Sequence, residues 1–273
     1  MRAAVVGHVE WIQFARVERV PSPGEIVHAS ETWEEPAGGG AVAAVQLLKL
    51  AGQATLYTAL GDDELGHRAK EKLEHLGLRV EATFRATPQR RGFTFVDAAG
   101  ERTITVMGDR LGPSAADPLA WDDLAQAGAV YFTAGDRGAL EQARRAGVLT
   151  ATSRVVRDLA EAHVRLDAVI GSARDPAESY SPGLLSPPPA VVVRTAGKDG
   201  GRFDTEDGRT GQWRAAEPPG PVSDFYGCGD SFAAGLTYGL GAGLPIEEAL
   251  SLAARCGAAN ATGRGAYEGQ LRL

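Results

Sequence analysis

Asp224-Phe-Tyr-Gly-Cys-Gly-Asp-Ser-Phe-Ala-Ala-Gly235 leads into an apolar helical pattern, with two glycines flanking Cys228 and an aspartate, Asp230, where that pattern begins. Glycines let the backbone turn tightly and gather N–H groups at a helix N-terminus. Such an end carries partial positive charge and suits phosphate oxygens. A carboxylate there repels a bound phosphate, so binding alone does not account for Asp230. It makes sense as a base that takes the proton of a hydroxyl attacking that phosphate. A plain glycine loop with an N-capping aspartate remains open for these four residues by themselves, because short glycine motifs are weakly specific.

Upstream of this stretch, strand-like and helix-like segments alternate. Apolar runs at Ala3–Val6, Ala54–Ala59, Ala129–Phe132, Ala168–Ile170 and Val191–Thr195 are separated or followed by helical patterns at Ala41–Ala51, Glu64–Leu76, Gly138–Ala146 and Ser231–Gly239. A last helix is predicted over Pro245–Thr262, with Pro245 in its first turn. This alternation reads as βαβ units around a largely parallel sheet. Glu25–Trp33 and Gly92–Met107 show strand patterning without intervening helices, and the second reads as a hairpin turning at Ala98-Ala-Gly100. Together they form either a small projecting sheet or extra strands at the edge of the main one.

The 273 residues are enough for a substantial core, as one large α/β domain or two small ones. A hydrophobic share of 44% and a charged share of 23% are ordinary for a soluble globular protein. With 28 basic and 35 acidic residues the net charge is −7, and no basic block is present, which argues against nucleic acid or an anionic membrane as a partner. Cys228 and Cys256 are too few and too far apart for a disulfide framework or a zinc site. The N-terminal residues lack a signal-peptide pattern, and no apolar run approaches the roughly 18 residues needed to span a bilayer. The expectation is a cytoplasmic enzyme.

The order Asp-x-x-Gly-x-Gly-Asp-Ser-Phe-x-x-Gly resembles the C-terminal signature of the ribokinase/PfkB family of carbohydrate kinases. Further elements stand in that family's order: Pro23-Gly-Glu25 with Pro36-Ala-Gly-Gly-Gly40, then Gly61-Asp-Asp-Glu-Leu-Gly66, Asp175-Pro-Ala-Glu178 and Thr195-Ala-Gly197. The resemblance covers nearly the whole chain. It implies an α/β, ribokinase-like three-layer fold with a mostly parallel central sheet and a small β-sheet lid. It also implies one domain over residues 1–273, with lid strands inserted at about 10–36 and 88–110.

The implied activity is ATP-dependent phosphorylation of a hydroxyl on a sugar, nucleoside or related small molecule. Asp230 is then the general base, and the N–H groups of Gly227, Cys228, Gly229 and Asp230 form an anion hole. Thr195 and Gly197 contact the nucleotide phosphates. Glu178 and Asp175 hold Mg²⁺ through water, with Asp175 standing where the family has Asn. Asp224 helps hold a monovalent cation, K⁺, and Glu10, Gly38, Gly39 and Gly40 face the acceptor together with Asp230. A homodimer through the lid is implied as well. Taken singly, several of these have ordinary readings: glycines loosening a turn, an acid-rich helix start with Asp175 and Glu178 on one face, and a β-turn at Lys198-Asp-Gly200.

The acceptor end departs from the pattern. Ile12 stands where many sugar-phosphorylating members carry Asp, and Ala43 is the counterpart of an Asn. Losing such partners leaves sugar hydroxyls unmatched, at about 1–3 kcal/mol each, with Glu10 and His8 as candidate replacements. Arg91 and Arg102 lie on the proposed lid, suited to a phosphate or carboxylate or simply solvated. Cys228 replaces a usual Ala, and its place at a helix N-terminus is expected to lower its pKa and favour alkylation. These departures keep a second reading open, a sugar-kinase-like nucleotide- or ligand-binding regulatory protein with little turnover. No G-x-G-x-x-G follows the first strand, and no G-x-x-x-x-G-K-[ST] occurs, so dinucleotide-binding and P-loop readings fail.

Overall fold

The computed structural model describes residues 1–273. The chain runs β1 (Ala3–Val6), β2 (Glu10–Arg16), β3 (Glu31–Ala37), α1 (Gly39–Ala51), β4 (Ala54–Gly61), α2 (Glu64–His75), β5 (Arg79–Arg85), β6 (Arg91–Val96) and β7 (Arg102–Met107). It continues through β8 (Ala129–Phe132), α3 (Arg137–Ala143), β9 (Val148–Thr152), α4 (Val156–Ala162), β10 (Ala168–Ser172), β11 (Val191–Thr195), β12 (Gly201–Thr205), β13 (Thr210–Trp213), α5 (Cys228–Gly241) and α6 (Ile246–Asn260).

Nine strands form the main sheet in the order β13-β12-β11-β10-β9-β8-β1-β4-β5. The strands from β11 to β5 in that order are mutually parallel, and β12 and β13 close one edge antiparallel. Parallel strands must bury both faces, and β1 shows how. Ala3 and Val5 pack into one apolar core with α1, α2, α5 and α6, while Ala4 and Val6 pack into a second core with α3 and α4. The continuous apolar run of β1 is therefore the mark of a strand covered on both sides.

A second sheet, ordered β3-β2-β6-β7, is built from the two insertions. β2 pairs antiparallel with β3 and parallel with β6, and β6–β7 is the expected hairpin. Residues 25–30 are not strand, contrary to the pattern over Glu25–Trp33, and β3 starts at Glu31. The cause is the partner: β2 ends at Arg16, whose carbonyl accepts the Ser30 N–H at 2.9 Å, so nothing is left for the earlier residues to pair with. No helix is long and apolar enough to cross a membrane.

Candidate active site

The parallel strands deliver their C-terminal ends to one edge of the sheet, the usual place for ligands in such folds. His8 follows β1, Thr133 follows β8, Arg154 follows β9, and Ser172 and Thr195 end β10 and β11. All of them line one cleft of roughly 1030 Å³, over which Arg102, Ile104 and Val106 of β7 form part of the wall. Two helix N-termini also reach it. α5 begins after Gly227, whose φ of 76° places it in the left-handed region that favours glycine, and its first intrahelical bond runs from Ser231 N–H to Gly227 O at 2.9 Å. The N–H groups ahead of Ser231 therefore lack helical partners. α1 starts beside it at Gly39, after Gly38.

Asp230 lies in the first turn of α5 and faces this cleft. It keeps some accessible surface, yet its carboxyl is ringed by protein, and loss of water pushes its pKa up to about 7, with the charge of Glu178 adding to the rise. A carboxylate near 7 is matched to accepting a proton at neutral pH.

On the far side of Gly38 and Gly39 lie His8 and Glu10, both buried. Burial pushes the His8 pKa down to about 3, so the ring is neutral, and its Nδ1 lies 3.3 Å from Thr133 Oγ1. Burial raises the Glu10 carboxyl against the opposing charge of Arg90, whose Nε lies 2.8 Å from Glu10 Oε1 but out of line for a hydrogen bond. Gly38, Gly39, Glu10 and Asp230 therefore meet in one place. Ile12 is fully buried in the core and Ala43 is fully buried within α1, so neither position reaches the cleft.

Asp175 and Glu178 do not lie on an α-helix face. Asp175 caps a single 3₁₀ turn, Pro176–Glu178, accepting from Ala177 N at 2.9 Å. Glu178 Oε2 accepts from Ser172 N at 2.7 Å, and the Arg154 guanidinium donates to both carboxylates at 2.6 Å. No cluster of three or more His, Cys, Asp or Glu side chains is arranged to hold a metal. Two carboxylates at the cleft edge, already gathered around a positive charge, are a donor set that suits Mg²⁺ held through its waters.

Asp224 is fully buried, and its oxygens accept from Tyr226 N at 2.9 Å and Gly265 N at 2.8 Å. Arg16 sits 3.8 Å from the second oxygen and donates to the Ser223 carbonyl at 3.1 Å. Arg16 is thus one positive charge beside Asp224, and through Tyr226 and Gly265 the carboxylate ties the loop before α5 to the loop after α6. Cys228 also departs from expectation: burial pushes its thiol up to about 11, outweighing the helix end.

Thr195, Gly197, Lys198, Phe225, Cys228 and Gly229 are shared with a second, adjoining hollow of about 430 Å³. That hollow is mainly apolar, with Trp213 stacked on Phe232 at 5.5 Å between ring centroids. Sequence reasoning missed this slot, along with Arg90, Arg110 and Arg154 of the main cleft. For Arg154 a signal existed, since it follows a parallel strand. β9 itself was not recognised. Arg91 does not line the cleft, whereas Arg102 does.

The sequence matches the family described as pfkB family carbohydrate kinase over residues 2–182 and 166–272. It is 28% identical over 293 residues to an ATP-dependent ribose-1-phosphate kinase of Halopiger xanaduensis, covering 97% of this chain and 94% of that protein. Among solved structures, ribokinase from Giardia lamblia superposes with a TM-score of 0.79 at 18% identity, covering 99% of this chain and 97% of the other. Adenosine kinase from Sinorhizobium meliloti gives 0.78 at 18% identity, covering 97% and 95%. The fold is ribokinase-like, as the sequence patterns implied. The chain belongs to the pfkB family of carbohydrate kinases, enzymes that transfer a phosphoryl group to an alcohol.

Proposed function

We propose that this protein transfers the γ-phosphoryl group of ATP to a hydroxyl of a sugar, nucleoside or related small molecule, with Asp230 as general base. The observation that carries this reading is the position of Asp230. Its carboxyl, with a pKa near 7, stands at the N-terminus of α5 where the cleft meets the apolar slot. The acceptor hydroxyl gives its proton to Asp230 as its oxygen bonds to the γ-phosphorus. The bond from that phosphorus to the β-bridging oxygen breaks, and ADP leaves. The N–H groups of Gly227, Cys228, Gly229 and Asp230 face the charge that spreads over the transferring group.

In this reading the apolar slot takes the adenine, and Thr195 and Gly197, shared by the two hollows, lie at the phosphates. Glu178 and Asp175 would hold Mg²⁺ through water, and the ion supplies charge neutralisation to the phosphates when bound. Glu10 and Gly38–Gly40 form the acceptor floor, and the small sheet excludes water. Ribose-1-phosphate, the acceptor named for the Halopiger relative, belongs to this substrate class. We further propose one domain over residues 1–273, a cytoplasmic setting, and a homodimer through β7, the free edge of the small sheet, all six residues of which are exposed.

The test is ADP release from Mg-ATP against pooled sugars, sugar phosphates, nucleosides and polyols, run beside Asp230→Asn. Release in one pool, abolished by the variant while ATP still binds, supports the reading. Turnover unchanged in the variant removes Asp230 from the role.

A further inference from the structure

Arg110 lines the acceptor side of the cleft, and neither a hydrogen bond nor an ion pair accounts for its guanidinium. It is partly buried, and its pKa is lowered by that burial and by the nearby charge of Arg90. Arg90 in turn meets the one carboxylate of Glu10, and its buried Nε lacks an aligned acceptor. Arg154 also acts on His8 and Glu10, but its own charge is met by Asp175 and Glu178, so Arg110 is the unpaired guanidinium of the group. His8 is neutral, and the Glu10 carboxylate that faces this group is ion-paired with Arg90. Like charges gathered in partial burial are unfavourable unless an anion joins them, and guanidinium forks match a phosphate through paired N–H donors.

The layout places this cluster at a useful distance from the chemistry. A Cβ on Gly39 would meet Asp230, one on Gly38 would meet Glu10, and Glu10 itself meets Arg90. An acceptor lying along that floor would present a hydroxyl at Asp230 and its other end to the arginines. Ile12 and Ala43 are buried and apolar and lie outside the cleft lining, so they offer the acceptor no hydrogen bonds.

Building on the kinase reading above, we propose that the acceptor is already a phosphate monoester of a sugar, and that Arg90 and Arg110 bind its phosphate. Arg110 has no other partner to satisfy. The selectivity of the enzyme for phosphorylated over free sugars then resides in these two side chains.

The experiment has a binding arm and a turnover arm, both on the full chain. Calorimetry without nucleotide uses ribose 1-phosphate, ribose 5-phosphate and fructose 6-phosphate, each beside its free sugar. A phosphosugar is expected to bind at least about tenfold more tightly than its free sugar, an advantage lost in Arg110→Gln and retained in Asp230→Asn. Equal binding of phosphosugar and free sugar, or equal phosphosugar binding by wild type and Arg110→Gln, overturns the proposal whatever the turnover. In the second arm Arg110→Gln raises KM for the phosphosugar and leaves KM for ATP unchanged. A rise confined to ATP assigns the arginines to the nucleotide and also overturns it. Selective binding with no ADP release counts against the kinase reading alone. The unfolding midpoint of Arg110→Gln is expected to hold or rise, because a repelling charge is removed. A clear fall would give Arg110 a structural role instead.

Discussion

The carboxylate of Asp230 rests against the backbone of Gly39: a Cβ built on Gly39 would lie 2.9 Å from Asp230 Oδ1 and 3.5 Å from His8 Cε1. Two residues almost two hundred positions apart are thus held in contact because α1 and α5 pack side by side with both N-termini in the cleft. A methyl group at Gly39 has one easy outlet, which is to displace the end of the Asp230 side chain. Gly39→Ala should therefore cost activity on the order of 10²-fold through misplacement of the base, while stability changes by no more than about 1 kcal/mol. Turnover and the thermal midpoint, measured on one preparation, check both halves. Full activity in the variant would place the working position of Asp230 elsewhere.

The pH dependence follows from the same carboxyl. Its folded pKa, about 7, is raised above the ordinary aspartate value, so the folded enzyme holds this proton up to neutrality. The base is available only above that point, and kcat/KM should rise with unit slope through about pH 7 and level off above it. The stability linkage has a matching sign: the protonated carboxyl's contribution is full below the unfolded pKa and is lost as pH rises through the folded one. Asp230→Asn should accordingly unfold at a higher temperature than wild type at pH 8, with little difference at pH 4.

Glu178 is the second cause of that raised pKa, after desolvation. Glu178→Gln keeps the shape of the side chain and an acceptor for Ser172 N–H, but removes the charge. The acid limb of kcat/KM should then move to lower pH, while KM for Mg-ATP rises because the ion loses a carboxylate. An unmoved limb would show that Glu178 does not act on Asp230 electrostatically.

Arg16 supplies the positive charge beside Asp224, and it binds the Ser223 carbonyl as well. The loop leading to Gly227 is therefore braced from within the protein. Turnover should be the same in potassium and in tetramethylammonium buffers at equal ionic strength. Arg16→Met should lose activity and become responsive to K⁺, since the charge has been removed from a buried carboxylate. Strong K⁺ activation of the wild type would instead give Asp224 the cation-holding role that the resemblance implies.

How far the sequence reaches is clearest in pairs of neighbouring elements. β1 and β8 match their apolar runs residue for residue, because strands buried on both faces must be apolar throughout, and β11 matches through its Val191-Val-Val193 start although Arg194 and Thr195 are polar. β9 (Val148–Thr152) ends in threonines and alanine and carries no such run, and the hairpin β12–β13 lies at a sheet edge where polar residues are tolerated. Asp230 and Gly227–Gly229 were legible because chemistry and turn coincide in one short stretch. Arg90 and Arg110 were not, since they flank β6 and β7 and only the folding of the small sheet over the main one brings them to Glu10. The Cys228 thiol misled for a related reason. Its helix position is local and visible, whereas the burial that dominates its pKa comes from distant residues.

Trp213 closes the apolar slot against Phe232 from the edge strand β13, far in sequence from the glycine loop. If adenine occupies that slot, stacking on the indole contributes about 1–3 kcal/mol. Trp213→Ala should then raise KM for ATP by roughly tenfold or more, with kcat and the acceptor KM little changed, since neither Asp230 nor the arginines move. Cys228→Ser offers the complementary control at the mouth of the slot. Its backbone N–H is retained, so transfer should continue. Iodoacetamide should label wild-type Cys228 slowly at pH 8, because a thiol near pKa 11 is thiolate only about one part in a thousand. Rapid labelling blocked by ATP would still place the slot at Cys228 but would show its thiol to be less shielded than the fold implies. A Trp213→Ala enzyme with unchanged KM for ATP would move the nucleotide out of this slot altogether.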